Sequence, residues 1–348
     1  MESPKDRDFI ETVDDLIWCV VGYLHPPDRY TAYVKYVPSE EGRWRRGDSG
    51  YRRVIPFYHV SQVEATYDLL MERHPEYVYR CPVRNITVSS VPRARVKIYH
   101  HPRIRLASIL RDGGDDELEE KLVELVRLLC DTSGIEAGDL GVTGSLLTRS
   151  HCPDFSDIDL TVYGMEASRR LKKAILENRG ENEPLRPFSE ERKKEWSRSR
   201  SGRLPLTFEQ LMAFSERRWN YGVYYGTYFS VHPVRTDAEI TEEYGDLRYT
   251  QAGPVEGGAV IEDSSESIYL PAIYRVSEVE LKGIIGEVSE IASYEGLFCD
   301  MFEPGDVVEF RGALEHVTGR RSFDRVVVGS AGSLPGYIRD ASASQPSN

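Results

Sequence analysis

The sequence lacks the cysteine patterns that form disulfide frameworks or bind structural zinc. Its 348 residues include five cysteines, an odd number, and they are widely spaced and never arranged as Cys-x-x-Cys. Such usage argues against a zinc site and a disulfide framework, and it is typical of reduced thiols. The sequence therefore predicts a cytoplasmic location.

Long hydrophobic runs are also missing. The apolar run at residues 16–24 is far shorter than the roughly 20 residues that a membrane-spanning helix needs, and it has neither a basic leader nor a small-residue cleavage site. We therefore expect no export and no membrane partner. With 40% hydrophobic and 29% charged residues, the chain has the composition of a globular protein with two or three cores.

The chain lacks an excess of positive charge, because its 57 acidic residues outnumber its 44 Lys and Arg residues. The formal net charge of −13 argues against non-specific adherence of the whole protein to nucleic acid. Three local basic stretches stand out against this background, at residues 43–53, 93–105 and 186–203. A solvated surface is the simpler interpretation of each, and contact with phosphates or a nucleic-acid backbone is the alternative.

Two aspartates stand close together in the middle of the chain. Residues 140–164 read LGVTGSLLTRSHCPDFSDIDLTVYG, and Asp157 and Asp159 are separated by one residue at the start of an apolar, β-branched run. Alternate residues of a strand point to the same face, so both carboxylates should leave one face. Mg²⁺ and Mn²⁺ prefer oxygen ligands, and the pair therefore predicts a metal site for one of these ions.

A Gly-Ser turn precedes this strand. Gly144 and Ser145 follow the apolar segment 140–142, and glycine lets the backbone approach a phosphate without a Cβ in the way. The amide and hydroxyl of Ser145 can donate to phosphate oxygens at the start of a short helix. Arg149 and Ser150, just beyond the turn, are further candidates for binding phosphate.

The combination resembles the signature of the DNA polymerase beta superfamily of nucleotidyltransferases. A strand and a Gly-Ser turn are followed, after eleven residues, by Asp-Ile-Asp-Leu on a second apolar strand. The resemblance implies transfer of a nucleoside monophosphate from a nucleoside triphosphate to a hydroxyl group, with release of pyrophosphate. The acceptor is left open between an RNA, a protein and a small molecule, as is the oligomeric state. Together with HPPDRYTAYVKYVP near the start, the chain looks similar to archaeal proteins with a nucleotidyltransferase domain.

The resemblance also implies a third carboxylate on a later strand, and the sequence departs from the pattern here. The best later strand spans residues 226–235, with Phe229 and Val231 facing the core. Its opposite face carries Tyr228, Ser230 and His232, none of which is an acid. We predict Asp237 as the third catalytic acid, with Glu239 and His232 as the other candidates. The alternative function is a catalytically reduced nucleotide- or RNA-binding module that keeps the fold.

The predicted fold class is α+β. Residues 1–105 are predicted to form a small α+β module, and residues 106–244 a nucleotidyltransferase core with a mixed sheet and flanking helices. Residues 245–340 are rich in short strands separated by Gly, Pro and acidic turns, which predicts a small β-barrel or sandwich. Residues 341–348 are predicted to be a disordered tail.

Overall fold

The structure, a computed structural model, describes residues 3–55, 59–181, 183–202, 204–283, 286–329 and 335–341. The strands are β1 (Phe9–Thr12), β2 (Ile17–Val20), β3 (Arg29–Pro38), β4 (Trp44–Arg46), β5 (Ser49–Arg53), β6 (Val78–Cys81), β7 (Ile86–Pro92), β8 (Val96–His100), β9 (Leu140–Thr143), β10 (Ile158–Tyr163), β11 (Leu185–Arg186), β12 (Tyr221–Tyr224), β13 (Thr227–Val234), β14 (Leu247–Asp263), β15 (Ala272–Leu281), β16 (Val288–Ser293), β17 (Val307–Gly319), β18 (Phe323–Val328) and β19 (Tyr337–Asp340). The helices are α1 (Val60–Glu64), α2 (Tyr67–Arg73), α3 (Pro102–Asp112), α4 (Glu117–Ser133), α5 (Gly144–Leu147), α6 (Met165–Asn178), α7 (Glu190–Arg200) and α8 (Phe208–Arg217). This mixture of sheets and helices is compatible with the predicted α+β class.

The chain folds into two units that are each built from separate stretches. The first unit contains residues 1–56, 90–189 and 219–241, and the second contains residues 57–89, 190–218 and 242–348. The domains predicted from the sequence are consecutive segments instead, with boundaries at residues 105 and 244. Of the predicted tail at 341–348, only residue 341 lies within the described residues.

An antiparallel sheet forms the N-terminal part of the first unit. Its strand order is β4-β5-β3-β2-β1-β8, and residues 90–92 of β7 pair with the start of β3. Strands β1 and β2 are buried along their whole length; β2 is apolar throughout, whereas β1 also buries Glu11 and Thr12. We call this the N-terminal sheet.

A second sheet in the same unit carries the Asp-x-Asp motif. Its order is β11-β12-β13-β10-β9, in which β10 is antiparallel to β9 and parallel to β13. Helix α6 follows β10 and packs against it and against α4. Asp116 caps α4 by accepting from the amides of Leu118 and Glu119, and Gly134 ends it in the left-handed conformation.

The second unit is built around a closed β-barrel. The strands follow the order β14-β15-β16-β18-β17, and β17 pairs with β14 again, while β19 adds to β17. The core of this unit includes Tyr274, Phe298 and Phe310, together with Leu211 and Phe214 from α8. Of the two architectures predicted for the C-terminal region, the barrel is the one formed.

No helix among the described residues combines the length and apolar character needed to cross a membrane.

Candidate functional site

Asp159 is the second residue of β10, and β10 lies between β9 and β13 in the sheet. Asp159 is in register with Thr143 of β9 on one side and with Ser230 of β13 on the other. The hydroxyl of Ser230 donates a hydrogen bond to Oδ1 of Asp159 and lies 2.9 Å from Nε2 of His232. The carboxylate is therefore oriented by a side chain on the adjacent strand.

The Gly144 turn lies against the other oxygen of the same carboxylate. Gly144 has a φ of +67°, a conformation that favours glycine, and a Cβ built there would come within 2.6 Å of Oδ2 of Asp159. Glycine is needed at this position for two reasons, its backbone conformation and the space taken by the carboxylate. The Gly-Ser turn and the Asp-x-Asp pair, predicted separately from the sequence, are thus brought together.

Asp157 lies directly before the first residue of β10 rather than inside the strand. Burial raises the pKa of Asp157, and the negative charge of Asp159 raises it further, whereas the charges of Arg53 and Lys35 oppose the shift. Both carboxylates are half-buried. Two half-buried acids that repel each other are stabilised by a cation placed between them.

The donor set fits a hard divalent cation. Within the described parts of the chain, no Lys or Arg nitrogen lies within 4.0 Å of the carboxylate of Asp157 or Asp159. The two carboxylates supply oxygen ligands, and Oδ2 of Asp159 faces the glycine turn rather than a positively charged side chain. These are the ligands that Mg²⁺ and Mn²⁺ prefer.

The remaining residues predicted to bind phosphate have different surroundings. Ser145 is buried in the turn, and its carbonyl oxygen accepts from the amide of Ser150 at 2.9 Å. The Ser150 hydroxyl is buried and lies 2.8 Å from the hydroxyl of Thr148, so it helps to close the turn. Arg149 is exposed and has a φ of 55°. Gly144 and Ser145 therefore stay candidates for phosphate contact, whereas Ser150 has a structural partner.

The structure does not bring Asp237 to the carboxylate pair. Asp237 lies beyond the C-terminal end of β13, where its carboxylate pairs with Nζ of Lys5 at 2.6 Å. Because β10 and β13 are parallel, this end of β13 lies beside Tyr163, four residues along β10 from Asp159 and roughly 13 Å away at the usual rise per residue. We therefore no longer assign Asp237 as the third catalytic acid.

Glu239 is also committed elsewhere. Its two oxygens accept from the amide of Met165 at 2.7 Å and from that of Thr236 at 2.8 Å, so it caps the first turn of α6. Of the three candidates, His232 is the one near the pair, through its contact with Ser230. The position beside Asp159 on β13 is thus occupied by a hydroxyl group, not by a carboxylate.

Comparison with known proteins gives a relative along nearly the whole chain. The uncharacterized protein MJ1086 of Methanocaldococcus jannaschii is 30% identical over 332 residues, which cover 93% of this chain and 95% of that protein. The chain belongs to the same family as MJ1086. No protein-family model and no solved structure matches the sequence. The name of this archaeal relative gives no activity.

Sequence patterns alone do not predict the positions of two residues near the carboxylate pair, Ser230 and Arg53. Ser230 was assigned to the correct face of its strand, but the register that places it beside Asp159 cannot be derived from the sequence. Arg53 belongs to the basic stretch at residues 43–53, for which a solvated surface was the simpler interpretation. The sequence therefore shows the basic stretch, but nothing in it connects Arg53 with the two aspartates about a hundred positions away.

Proposed function

We propose that the chain is a metal-dependent nucleotidyltransferase that moves a nucleoside monophosphate from a nucleoside triphosphate to a hydroxyl group of an acceptor. The observation that carries the proposal is the convergence of Gly144 and Ser230 on the Asp159 carboxylate, with Asp157 beside it. The antiparallel β9–β10 pair with a parallel β13 supports a core of the DNA polymerase beta type.

Each residue has a defined role in this proposal. Asp157 and Asp159 hold Mg²⁺ or Mn²⁺, and Ser230 fixes the orientation of the Asp159 carboxylate. A bound metal of this kind neutralises charge on phosphate oxygens. Gly144 lets the turn lie directly against the Asp159 carboxylate, and the neighbouring Ser145 amide and hydroxyl are the donors that we assign to the triphosphate.

The proposed transfer forms one phosphorus–oxygen bond and breaks another. The acceptor oxygen forms a bond to the α-phosphorus, the bond between that phosphorus and the pyrophosphate oxygen breaks, and the hydroxyl proton is released. The chain's contribution is mainly to position the triphosphate and to offset its charge, as in phosphoryl transfer generally.

One observation favours a second candidate function. Ser230 occupies the position beside Asp159 on the neighbouring strand, and neither Asp237 nor Glu239 reaches the pair. A protein with two carboxylates instead of three can retain metal and nucleotide binding without efficient transfer. A nucleotide- or RNA-binding module is therefore the alternative.

The two candidates are separated by a label-transfer experiment. The protein is incubated with each nucleoside triphosphate labelled at the α-phosphate, with Mg²⁺ or Mn²⁺, and with total RNA and protein extracts. We expect label on one acceptor class with the parent protein and none with Asp159→Asn. Metal-dependent nucleotide binding without label on any acceptor would favour the binding module.

A further inference from the structure

Arg53 of the N-terminal sheet is held in a fixed position near the carboxylate pair. It lies in register with Tyr36 of β3, and its guanidinium carbon is 4.7 Å from the ring centroid of Trp44 and 5.8 Å from that of Tyr36. Stacking on two aromatic rings restricts the guanidinium before any ligand binds. The side chain is half-buried.

Unlike two other arginines of the N-terminal region, Arg53 has no carboxylate partner among the residues that the structure describes. Arg46 forms two hydrogen bonds to Glu11, at 2.8 and 3.0 Å, and Arg95 lies 2.7 Å from Asp14. In the described residues, no carboxylate oxygen lies within 4.0 Å of the Arg53 guanidinium, and its buried Nε has no hydrogen-bond partner. A partly buried cation with an unused donor is an incomplete arrangement that an anion would complete.

The aromatic ring on which Arg53 stacks also contacts the segment that carries the metal-binding acids: Trp44 packs edge-on against Phe155, two residues before Asp157, with ring centroids 5.9 Å apart. The positive charge of Arg53 counteracts the rise in the pKa of Asp157 that burial causes. Burial lowers the pKa of Arg53 itself, but Tyr36 and the two carboxylates together raise it above its ordinary value. Arg53 is thus close enough to interact with the acids and too far away to form an ion pair with them.

We infer that Arg53 binds the polyphosphate chain of the substrate whose metal ion Asp157 and Asp159 hold. This inference rests on the proposed function and adds the N-terminal sheet to the substrate site. A guanidinium presents several N–H donors in one plane, which suits non-bridging phosphate oxygens. Metal-bound phosphate between the acids and Arg53 would satisfy both the carboxylates and the guanidinium.

The inference predicts opposite effects on two ligands. Removing the positive charge leaves the carboxylates more attractive to a cation, so Arg53→Gln should bind Mn²⁺ alone as well as the parent or a few-fold tighter. The same variant should bind inorganic tripolyphosphate, in the presence of Mn²⁺, about 10- to 100-fold more weakly, the range for losing charge-assisted hydrogen bonds. Arg53→Lys keeps the charge but not the planar set of N–H donors, so its tripolyphosphate affinity should lie between those of the parent and Arg53→Gln.

The control is the neighbouring Arg52→Gln. Arg52 is exposed on the same strand, so this variant removes the same net charge without changing the stacked arginine. Mn²⁺ binding is followed by electron paramagnetic resonance and tripolyphosphate binding by calorimetry on the full chain. We expect Arg52→Gln to behave as the parent does with both probes.

The possible outcomes separate this inference from the proposed function. If Arg53→Gln binds tripolyphosphate as the parent does, the inference is overturned and the metal site is unaffected. If Arg53→Gln loses affinity for both Mn²⁺ and tripolyphosphate, Arg53 has a structural role and the inference is overturned as well. Arg53-dependent tripolyphosphate binding by a parent that does not bind Mn²⁺ supports the inference and contradicts the proposed function. A parent that binds neither probe contradicts both.

Discussion

A side chain at position 144 would compete for space with the carboxylate of Asp159. We expect Gly144→Ala to weaken Mn²⁺ binding at least tenfold, because a Cβ there would come within 2.6 Å of Oδ2 and push the carboxylate away. Alanine also strains the backbone at a φ of +67°. Calorimetric titration of the parent and the variant with Mn²⁺ measures the change.

Gly22 offers a matched control for this prediction. It lies in the same unit with a φ of +73°, and a Cβ there would meet no atom within 4 Å. Gly22→Ala should therefore cost about 1 kcal/mol of stability through backbone strain and leave Mn²⁺ affinity unchanged. Equal Mn²⁺ affinities for the two variants would show that position 144 acts only through its backbone.

At the level of single residues, the sequence predicted what depends on local pattern. The alternation along residues 226–235 correctly placed Phe229 and Val231 in the core. Asp237 was chosen because it is the nearest acid in the sequence, but the strand carries the chain away from Asp159, so closeness in sequence does not become closeness in space. The roles of Ser230 and Arg53 depend on strand register and on packing between distant segments, which local pattern does not determine.

At the level of elements, the sequence predicts capping boxes at Ser61-Gln62-Val63-Glu64 and at Thr207-Phe208-Glu209-Gln210, and the two had different outcomes. The Thr207 box formed as predicted, with the hydroxyl accepting from the Gln210 amide and the Gln210 side chain accepting from the Thr207 amide. Ser61 does not cap its helix, because α1 already begins at Val60 and the ring of the cap residue His59, two residues before Ser61, accepts from the amide of Ser61. A helix N-cap is therefore predicted at the wrong residue when a side chain earlier in the sequence accepts the hydrogen bond from the first amides of the helix.

Glu295 connects two elements of the second unit and makes their stability depend on pH. It follows β16, accepts from the amide of Val60 in α1 at 3.0 Å and lies 3.6 Å from Nε2 of His59. Burial raises the pKa of Glu295 to about 7. Between the ordinary pKa of about 4.5 and pH 7, the folded protein holds this proton more tightly than the unfolded chain, so stability falls as pH rises through this window.

Replacing the acid by an amide should remove this pH dependence. At pH 8 we expect Glu295→Gln to be more stable than the parent by about 3 kcal/mol, the free energy that corresponds to raising the pKa from 4.5 to about 7, and near pH 4.5 the difference should be small. Urea unfolding of both proteins at the two pH values measures this, with the exposed Glu287→Gln as the control. A gain of the same size at both pH values would contradict the burial argument.

At the level of the whole molecule, the chain passes repeatedly between the two units. The stretch at residues 190–218 is part of the second unit, although the stretches before and after it belong to the first. Sequence composition predicted consecutive domains because it shows where the character of the chain changes, not which distant segments share a core. The β-rich C-terminal region, predicted as a barrel or a sandwich, was easier to recognise because the barrel strands β14 to β18 follow one another in the sequence.

A fragment of residues 106–244 should therefore not fold cooperatively. It lacks the N-terminal sheet of the first unit, and it exposes Leu211 and Phe214, which belong to the core of the second unit. We expect poor solubility and no sharp thermal transition by circular dichroism, whereas the full chain unfolds cooperatively. A soluble fragment with a cooperative transition would show that this segment is an independent domain.

The most direct test of the central claim is the binding of a metal–nucleotide complex to Asp157→Asn/Asp159→Asn. The double substitution removes two repelling charges and should leave the fold intact, which circular dichroism checks. We expect the parent and Asp237→Ala to bind Mn²⁺ together with a nucleoside triphosphate, and the double variant to lose this binding at least a hundredfold. Equal affinity of the parent and the double variant, or no metal-dependent nucleotide binding by the parent, would contradict the account.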